Sequence, residues 1–267
     1  MAHTSGKVMV IADLHLDRWL TVRRDPLAGL APGTLSSLDA LIIAGDLSDK
    51  PKTRWPNVLK HLSGYIDLRR VWVVPGNHDY YHHSVDDDAR LALICQTEGA
   101  NFAQKRLIFI GDTRYLCCTL WTDFALQGSV EIGMRDAAHQ LNDYRYIRLA
   151  GAGHRRIRPV DIVRVHADHR SWLETHLAKA FGGDTIVVTH HAPLPACIPE
   201  GFTAAPAYAS DLSDMIDRYK PKQWLFGHTH VQMDIQRGGT FVRNVSLGYD
   251  EHIAKGTEVA IFEKGLV

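Results

Sequence analysis

Near the end of the chain, residues 225–231 read LFGHTHV, placing His228 and His230 two apart just after a glycine that closes an apolar run. Two imidazoles there can serve a single site, but two alone do not hold a catalytic metal. Four other apolar runs supply candidates for the remaining ligands. One ends in DLH, with Asp13 and His15; one in GD, with Asp46; one in GNHD, with Asn77 and His78; and one in THH, with His190 and His191. Taken singly, each cluster has a plain alternative as a polar strand end, a tight turn or a rim histidine. Taken together, five runs out of five end in metal-competent side chains, which independent accidents rarely produce. Carboxylate, imidazole and amide oxygen suit Mn, Fe, Zn or Co and need no thiolate. A two-metal site also requires a bridging anion and ligands from several strands, because its ions lie about 3.5–4 Å apart.

The runs at 7–15, 40–49, 71–81, 184–193 and 223–230 are short and rich in Val and Ile, as strands buried on both faces are. In open α/β sheets, ligands gather beyond the carboxyl ends of the strands, so all five clusters are expected on one rim. Helices are expected over 54–68, over 84–99 with Ser84 as cap, over 166–183 and over 208–221. The stretch 106–121 reads as two strands around a GDT turn, and the C-terminal region as antiparallel strands around Gly238–Gly239, with 258–265 as a last strand. Residues 122–165 show weak periodicity and are expected to form an insertion over the rim. With no internal repeat or flexible linker, one domain over 1–267 is expected.

Bulk properties narrow the class. The chain has 267 residues, 45% hydrophobic and 22% charged, as in an ordinary globular protein. Thirty basic residues balance thirty acidic ones, which argues against a broad electrostatic grip on nucleic acid or an anionic membrane. Cys95, Cys117, Cys118 and Cys197 form no C-x-x-C pair and read as reduced packing residues; adjacent Cys117 and Cys118 point to opposite faces if they lie on a strand. No run reaches about 18 apolar residues and no signal peptide is visible, so a cytoplasmic location is the expectation.

The ordered series DLH, GDLSD, GNHD, THH and GHTH resembles the calcineurin-like metallophosphoesterase family, in its bacterial single-domain form, and spans 13–230. The resemblance implies an α/β fold of four layers, α/β/β/α, with two sheets face to face. It implies two divalent ions, Mn or Fe before Zn or Co. Asp13, His15, Asp46 and His230 would hold the first; Asp46, Asn77, His190 and His228 the second, with Asp46 as the bridge. A hydroxide held between the ions would then attack phosphorus. His78 would protonate the leaving oxygen or stabilise the phosphoryl charge, and Asp49 would orient it, unless Asp49 only caps a turn. His191 either faces the substrate or caps the turn.

The second motif continues as Asp49-Lys50-Pro51, where the serine/threonine phosphatases of the family have Asp-Arg-Gly, and this weakens a protein-phosphatase assignment. The purple acid phosphatases place a ligating tyrosine where Asp49 stands. Tyr80 and Arg145 are further substrate-contact candidates, Arg145 through bidentate pairing with a phosphate oxygen; Tyr81, Trp19, Trp121, Asn142, Asp143 and Tyr144 join them. The expected activity is hydrolysis of a small or medium organic phosphate, a diester before a monoester. A nuclease, which the basic HRRIR at 154–158 would favour, and a non-catalytic binding protein are the alternatives.

Overall fold

The computed structural model describes residues 6–267, so the first five residues of the expected domain lie outside it. Twelve strands and eight α-helices succeed one another among the described residues. The chain opens with β1 (Val8–Ile11), α1 (Leu16–Thr21), β2 (Ala40–Ala44), α2 (Pro51–Leu62), β3 (Val71–Val74), α3 (Asp88–Glu98) and β4 (Asn101–Phe102). Then come the hairpin β5 (Arg106–Ile110) and β6 (Thr113–Cys118), helices α4 (Val130–Gln140) and α5 (Asp143–Tyr146), and the short pair β7 (Arg148–Leu149) and β8 (Arg155–Arg156). The last part comprises α6 (Pro159–Leu177), β9 (Asp184–Thr189), α7 (Ser213–Tyr219), β10 (Gln223–Phe226), β11 (Asp234–Arg237), β12 (Thr240–Asn244) and α8 (Glu258–Lys264).

Two main sheets result. One is all parallel, in the order β1-β2-β3-β4; the other is mixed, in the order β11-β12-β10-β9-β6-β5. Period-two alternation along each strand divides the core into three apolar layers. Val8, Val10, Ile42, Val188 and Leu225 meet between the sheets. Met9, Ile11, Leu41 and Val73 face outward beneath Trp55, Val58 and Leu59 of α2 and Leu91 of α3. Val187, Trp224 and Phe226 pack under Leu173 of α6 and Ile216 of α7. This is the expected α/β/β/α order. Cys117 lies between the sheets and Cys118 on the outer face, as strand alternation requires.

All five expected strands form, and the two hairpins turn at 111–112 and 238–239. Boundaries differ where local chemistry outweighs periodicity. Helix α2 starts at Pro51, whose missing N–H costs nothing in a first turn, and buries Trp55, Val58, Leu59 and Leu62 at helical spacing. Helix α6 starts at Pro159, closed by reciprocal bonding between Arg158 and Asp161. Ser84 does not cap α3, which begins at Asp88; it bridges to Arg148 instead. The expected strand at 258–265 is a helix, α8. Its Glu258 and Lys264 complement the helix dipole. The last three residues of the chain take up the free edge of β1: Val10 N–H donates to Gly265 O at 2.8 Å, and Val267 N–H to Val8 O at 3.0 Å. Residues 122–165 are more regular than expected, holding α4, α5 and the β7–β8 pair. Ala137, Tyr144, Ile147 and Ile157 there join the outer core layer.

Candidate metal centre

The carboxyl ends of β1, β2, β3, β9 and β10 come to one rim, and the motif residues converge there. Ligand-type atoms of Asp13, His15, Asp46 and His230 all lie within 4.8 Å of one another, and so do those of Asp46, His190 and His228. Asp46 is common to both groups, and its two oxygens are divided between them. Oδ2 is 3.6 Å from His15 Nε2, and Oδ1 is 3.5 Å from His190 Nε2. Asn77 Oδ1 lies 3.0 Å from the same His190 nitrogen. His230 Nε2 lies 3.0 Å from Asp13 Oδ1 and 3.3 Å from His15 Nε2.

The backbone bends sharply to achieve this. Asp13, His15, Asp46, His228 and His230 all have φ between 40° and 67°, the left-handed region that side chains other than glycine seldom adopt. Glycines in the same loops leave the necessary space. A Cβ on Gly45 would overlap His190 Nδ1, and one on Gly76 would overlap Asp46 Oδ1, so each glycine admits a ligand from another motif.

Burial sets the charges. His190 is lowered to about 4, and His15 and His228 well below the usual range, by burial and then by neighbouring imidazoles. These rings are neutral near pH 7, the form that binds metal. Burial opposes the charge on Asp13, but His230, 3.0 Å from its Oδ1, holds its carboxyl below the ordinary range. Asp46 is pushed well up by burial and then by the charges of Asp13 and Asp79. His15 Nδ1 and His228 Nε2 are buried and have no hydrogen-bond partner among the described residues. Crowded carboxylates, neutral imidazoles and buried nitrogens without partners fit a pair of divalent cations. Among the described residues no cysteine belongs to either group.

Around the groups lies a supporting shell. Asp79 accepts from the N–H groups of Asp46, Leu47, Ser48 and Gly76 and from Trp55 Nε1, at 2.8–3.3 Å, and so fixes the GD loop against the GNHD loop. Asp143, at the start of α5, is buried; its Oδ1 accepts from Asn77 Nδ2 at 2.9 Å and from Tyr81 OH at 2.8 Å. That bond turns Asn77 Oδ1 toward His190. Ser246 Oγ donates to Asp13 Oδ2 at 2.6 Å. His78 Nδ1 is 2.7 Å from Asp49 Oδ1, while its Nε2 faces Tyr249 OH at 3.3 Å.

Beside the groups opens a cleft of about 550 Å³, floored by Asp46, Asn77, His78, His228 and His230. Its walls are Tyr81, Leu141, Phe202, Tyr208, Val231 and Tyr249, and among the described residues no Lys or Arg lines it. Three expected substrate contacts lie elsewhere. Tyr80 is buried beneath the rim, where its OH donates to Asp88 at 2.6 Å. His191, just past the end of β9, is buried between Trp121 and His228, with Nδ1 near Thr119 O. Arg145 is exposed beside the cleft, and its Nη1 donates to Asn142 Oδ1 at 3.3 Å. Trp19, Trp121 and Tyr144 are buried, while Tyr81, Asn142 and Asp143 line the cleft. Phe202, Tyr208 and Tyr249 carry no spacing signal and reach the cleft only through the tertiary fold.

Residues 6–232 match the sequence pattern described as calcineurin-like phosphoesterase. An uncharacterized protein of Acanthamoeba polyphaga mimivirus is 25% identical over 227 residues, 78% of each chain. The phosphopantetheinyl hydrolase of Mycobacterium tuberculosis superposes with a TM-score of 0.71 at 18% identity, covering 94% of this chain and 92% of its own. A putative 5'-nucleotidase of Staphylococcus aureus superposes at 0.50 with 13% identity, covering 89% of this chain and 48% of its own. At such identities the structural likeness speaks to the fold alone.

Proposed function

The chain belongs to the calcineurin-like phosphoesterase family and is a metal-dependent hydrolase of phosphoesters; from that premise we propose that it acts as a phosphodiesterase on a small or medium organic phosphate. The observation carrying this proposal is the division of the Asp46 oxygens between His15 and His190, beside a cleft that among the described residues no Lys or Arg lines. Asp13, His15, Asp46 and His230 would hold one ion, and Asp46, Asn77, His190 and His228 the other. The N and O donors suit Mn, Fe, Zn or Co, and Mn or Fe is the proposed pair on the family resemblance. Bound there, the ions supply Lewis acidity toward water and the phosphoryl oxygens.

The chain's own residues do the rest. Asp49 fixes Nδ1 of His78, which leaves Nε2 facing the cleft to pass a proton to the leaving oxygen. Tyr249 OH holds that nitrogen's direction. Tyr208 and Phe202, their rings 4.7 Å apart, offer an apolar wall to the ester's organic group. A terminal phosphate carries an extra charge that Lys or Arg would normally clamp, and the cleft walls contain neither. This favours the diester over the monoester.

The test compares bis-p-nitrophenyl phosphate with p-nitrophenyl phosphate in the presence of Mn²⁺ and after chelation. Faster turnover of the diester, lost on chelation and restored by Mn²⁺, is expected. Activity indifferent to thorough chelation would refute the metal assignment, and a preference for the monoester would refute the diester assignment.

A further inference from the structure

Next to the catalytic cleft lies a second hollow of about 370 Å³, lined by His82, Arg145, Tyr146, Arg148 and Arg156. Arg148 and Arg156 stand directly opposite each other across the β7–β8 pair. Like charges in that position repel and destabilise a strand pair. Among the described residues no carboxylate forms an ion pair with Arg145, Arg148 or Arg156; the arginines paired nearest in sequence are Arg135 with Asp136 and Arg155 with Asp161. The nearby acids are engaged elsewhere: Asp86 accepts from the amides of Ala150 and Gly151, and Asp161 is paired with Arg155. Three guanidinium groups therefore share one concavity with no carboxylate paired to any of them.

The hollow is fixed relative to the active site. His82 N–H donates to Tyr146 O at 3.0 Å, Arg148 N–H to His83 O at 2.9 Å, and Val85 N–H to Arg148 O at 2.9 Å, so the loop after GNHD is bonded to the arginine-bearing segment. Aromatic rings form the dividing wall. His78 lies against Tyr81 at 4.2 Å, Tyr81 against Tyr146 at 5.4 Å, and Tyr146 stacks on His82 at 5.1 Å. Arg145 bonds across the boundary to Asn142, which lines the cleft.

We infer that this hollow is an anion subsite that takes a phosphate or diphosphate group remote from the bond being cleaved. Planar guanidinium forks match phosphate oxygens in paired hydrogen bonds, and three of them suit a group carrying more than one charge. As a statement about substrate, the inference rests on the phosphoesterase assignment above: the preferred ester would carry a second phosphate. Free phosphate is the other source of the same chemistry.

Two measurements test this. First, inorganic pyrophosphate is titrated into chelated, metal-free protein by calorimetry. Arg148→Gln with Arg156→Gln should weaken binding at least about tenfold, and Arg145→Gln alone should weaken it severalfold. The control, Arg135→Gln with Arg164→Gln, removes equal charge elsewhere and should leave binding unchanged. Equal binding by wild type and the double variant, or no binding by wild type at millimolar pyrophosphate, overturns the subsite. Second, steady-state kinetics compare bis-p-nitrophenyl phosphate with a diester bearing a distal phosphate. A rise in KM confined to the latter in the double variant identifies the substrate as the source. Unchanged KM for both, with pyrophosphate binding lost, identifies the free anion. Because the titration needs no turnover, failed hydrolysis would count against the proposed function and not against the subsite.

Discussion

The residues with the clearest chemical signature are those whose sequence neighbours announce them. Asp13, His15, Asp46, Asn77, His190, His228 and His230 come after apolar runs at short fixed spacings, and the fold brings their ligand atoms together. Asp79 closes the GNHD cluster but, like Asp143, gives no sign of its own role, which lies in hydrogen bonds to residues distant in sequence. Asp143 lies 66 positions from the Asn77 it orients. Asp143→Ala should therefore leave the fold intact but weaken Mn²⁺ binding about 10- to 100-fold, as measured by metal titration. Metal affinity equal to wild type would show that Asn77 holds its direction without help. His78 and Asp46 should fail in different ways. His78→Ala should keep its metal content and lose turnover about 10²- to 10⁴-fold, while Asp46→Ala should lose metal. Full loading of the Asp46 variant would exclude a bridging role.

Strands buried on both faces are plain from their composition, and they occur where expected. Helix starts are harder to place: Pro51 and Pro159 begin turns ahead of the apolar stripe, and the stripe is what periodicity detects. The C-terminal segment reads as a strand because Val259, Ile261 and Phe262 fit either period, and the edge of β1 is taken instead by the residues that follow α8. Helix α6 carries a measurable consequence. Its His169 is buried, accepts from Leu120 N–H at 3.2 Å, and is lowered by burial to about 3. Between that value and the unfolded value near 6.5, the unfolded chain binds the extra proton, so stability falls as pH falls, by up to about 1.4 kcal/mol per unit. His169→Gln keeps an acceptor without a titrating ring. Urea unfolding at pH 7 and pH 5 should show a smaller loss for this variant than for wild type; equal losses would place the pH sensitivity in other groups.

For the molecule as a whole, the order of the layers is legible in the sequence, but not how the sheets meet. That contact depends on the facing of single residues such as Leu225, wholly buried between the sheets. Leu225→Ala should cost about 2–5 kcal/mol in urea unfolding, and a loss below about 1 kcal/mol would mean the two sheets close over the gap. The candidate ligands come from both sides of this contact: Asp13, His15, Asp46 and Asn77 lie beyond strands of the parallel sheet, while His190, His228 and His230 lie beyond strands of the mixed one. Ions bound there would act as a clasp whose halves are anchored in separate walls. A slight slip of one wall would open the clasp while every helix stayed wound. Mild urea or hydrostatic pressure should therefore silence the enzyme well before its circular dichroism changes, and added Mn²⁺ should hold the walls in register.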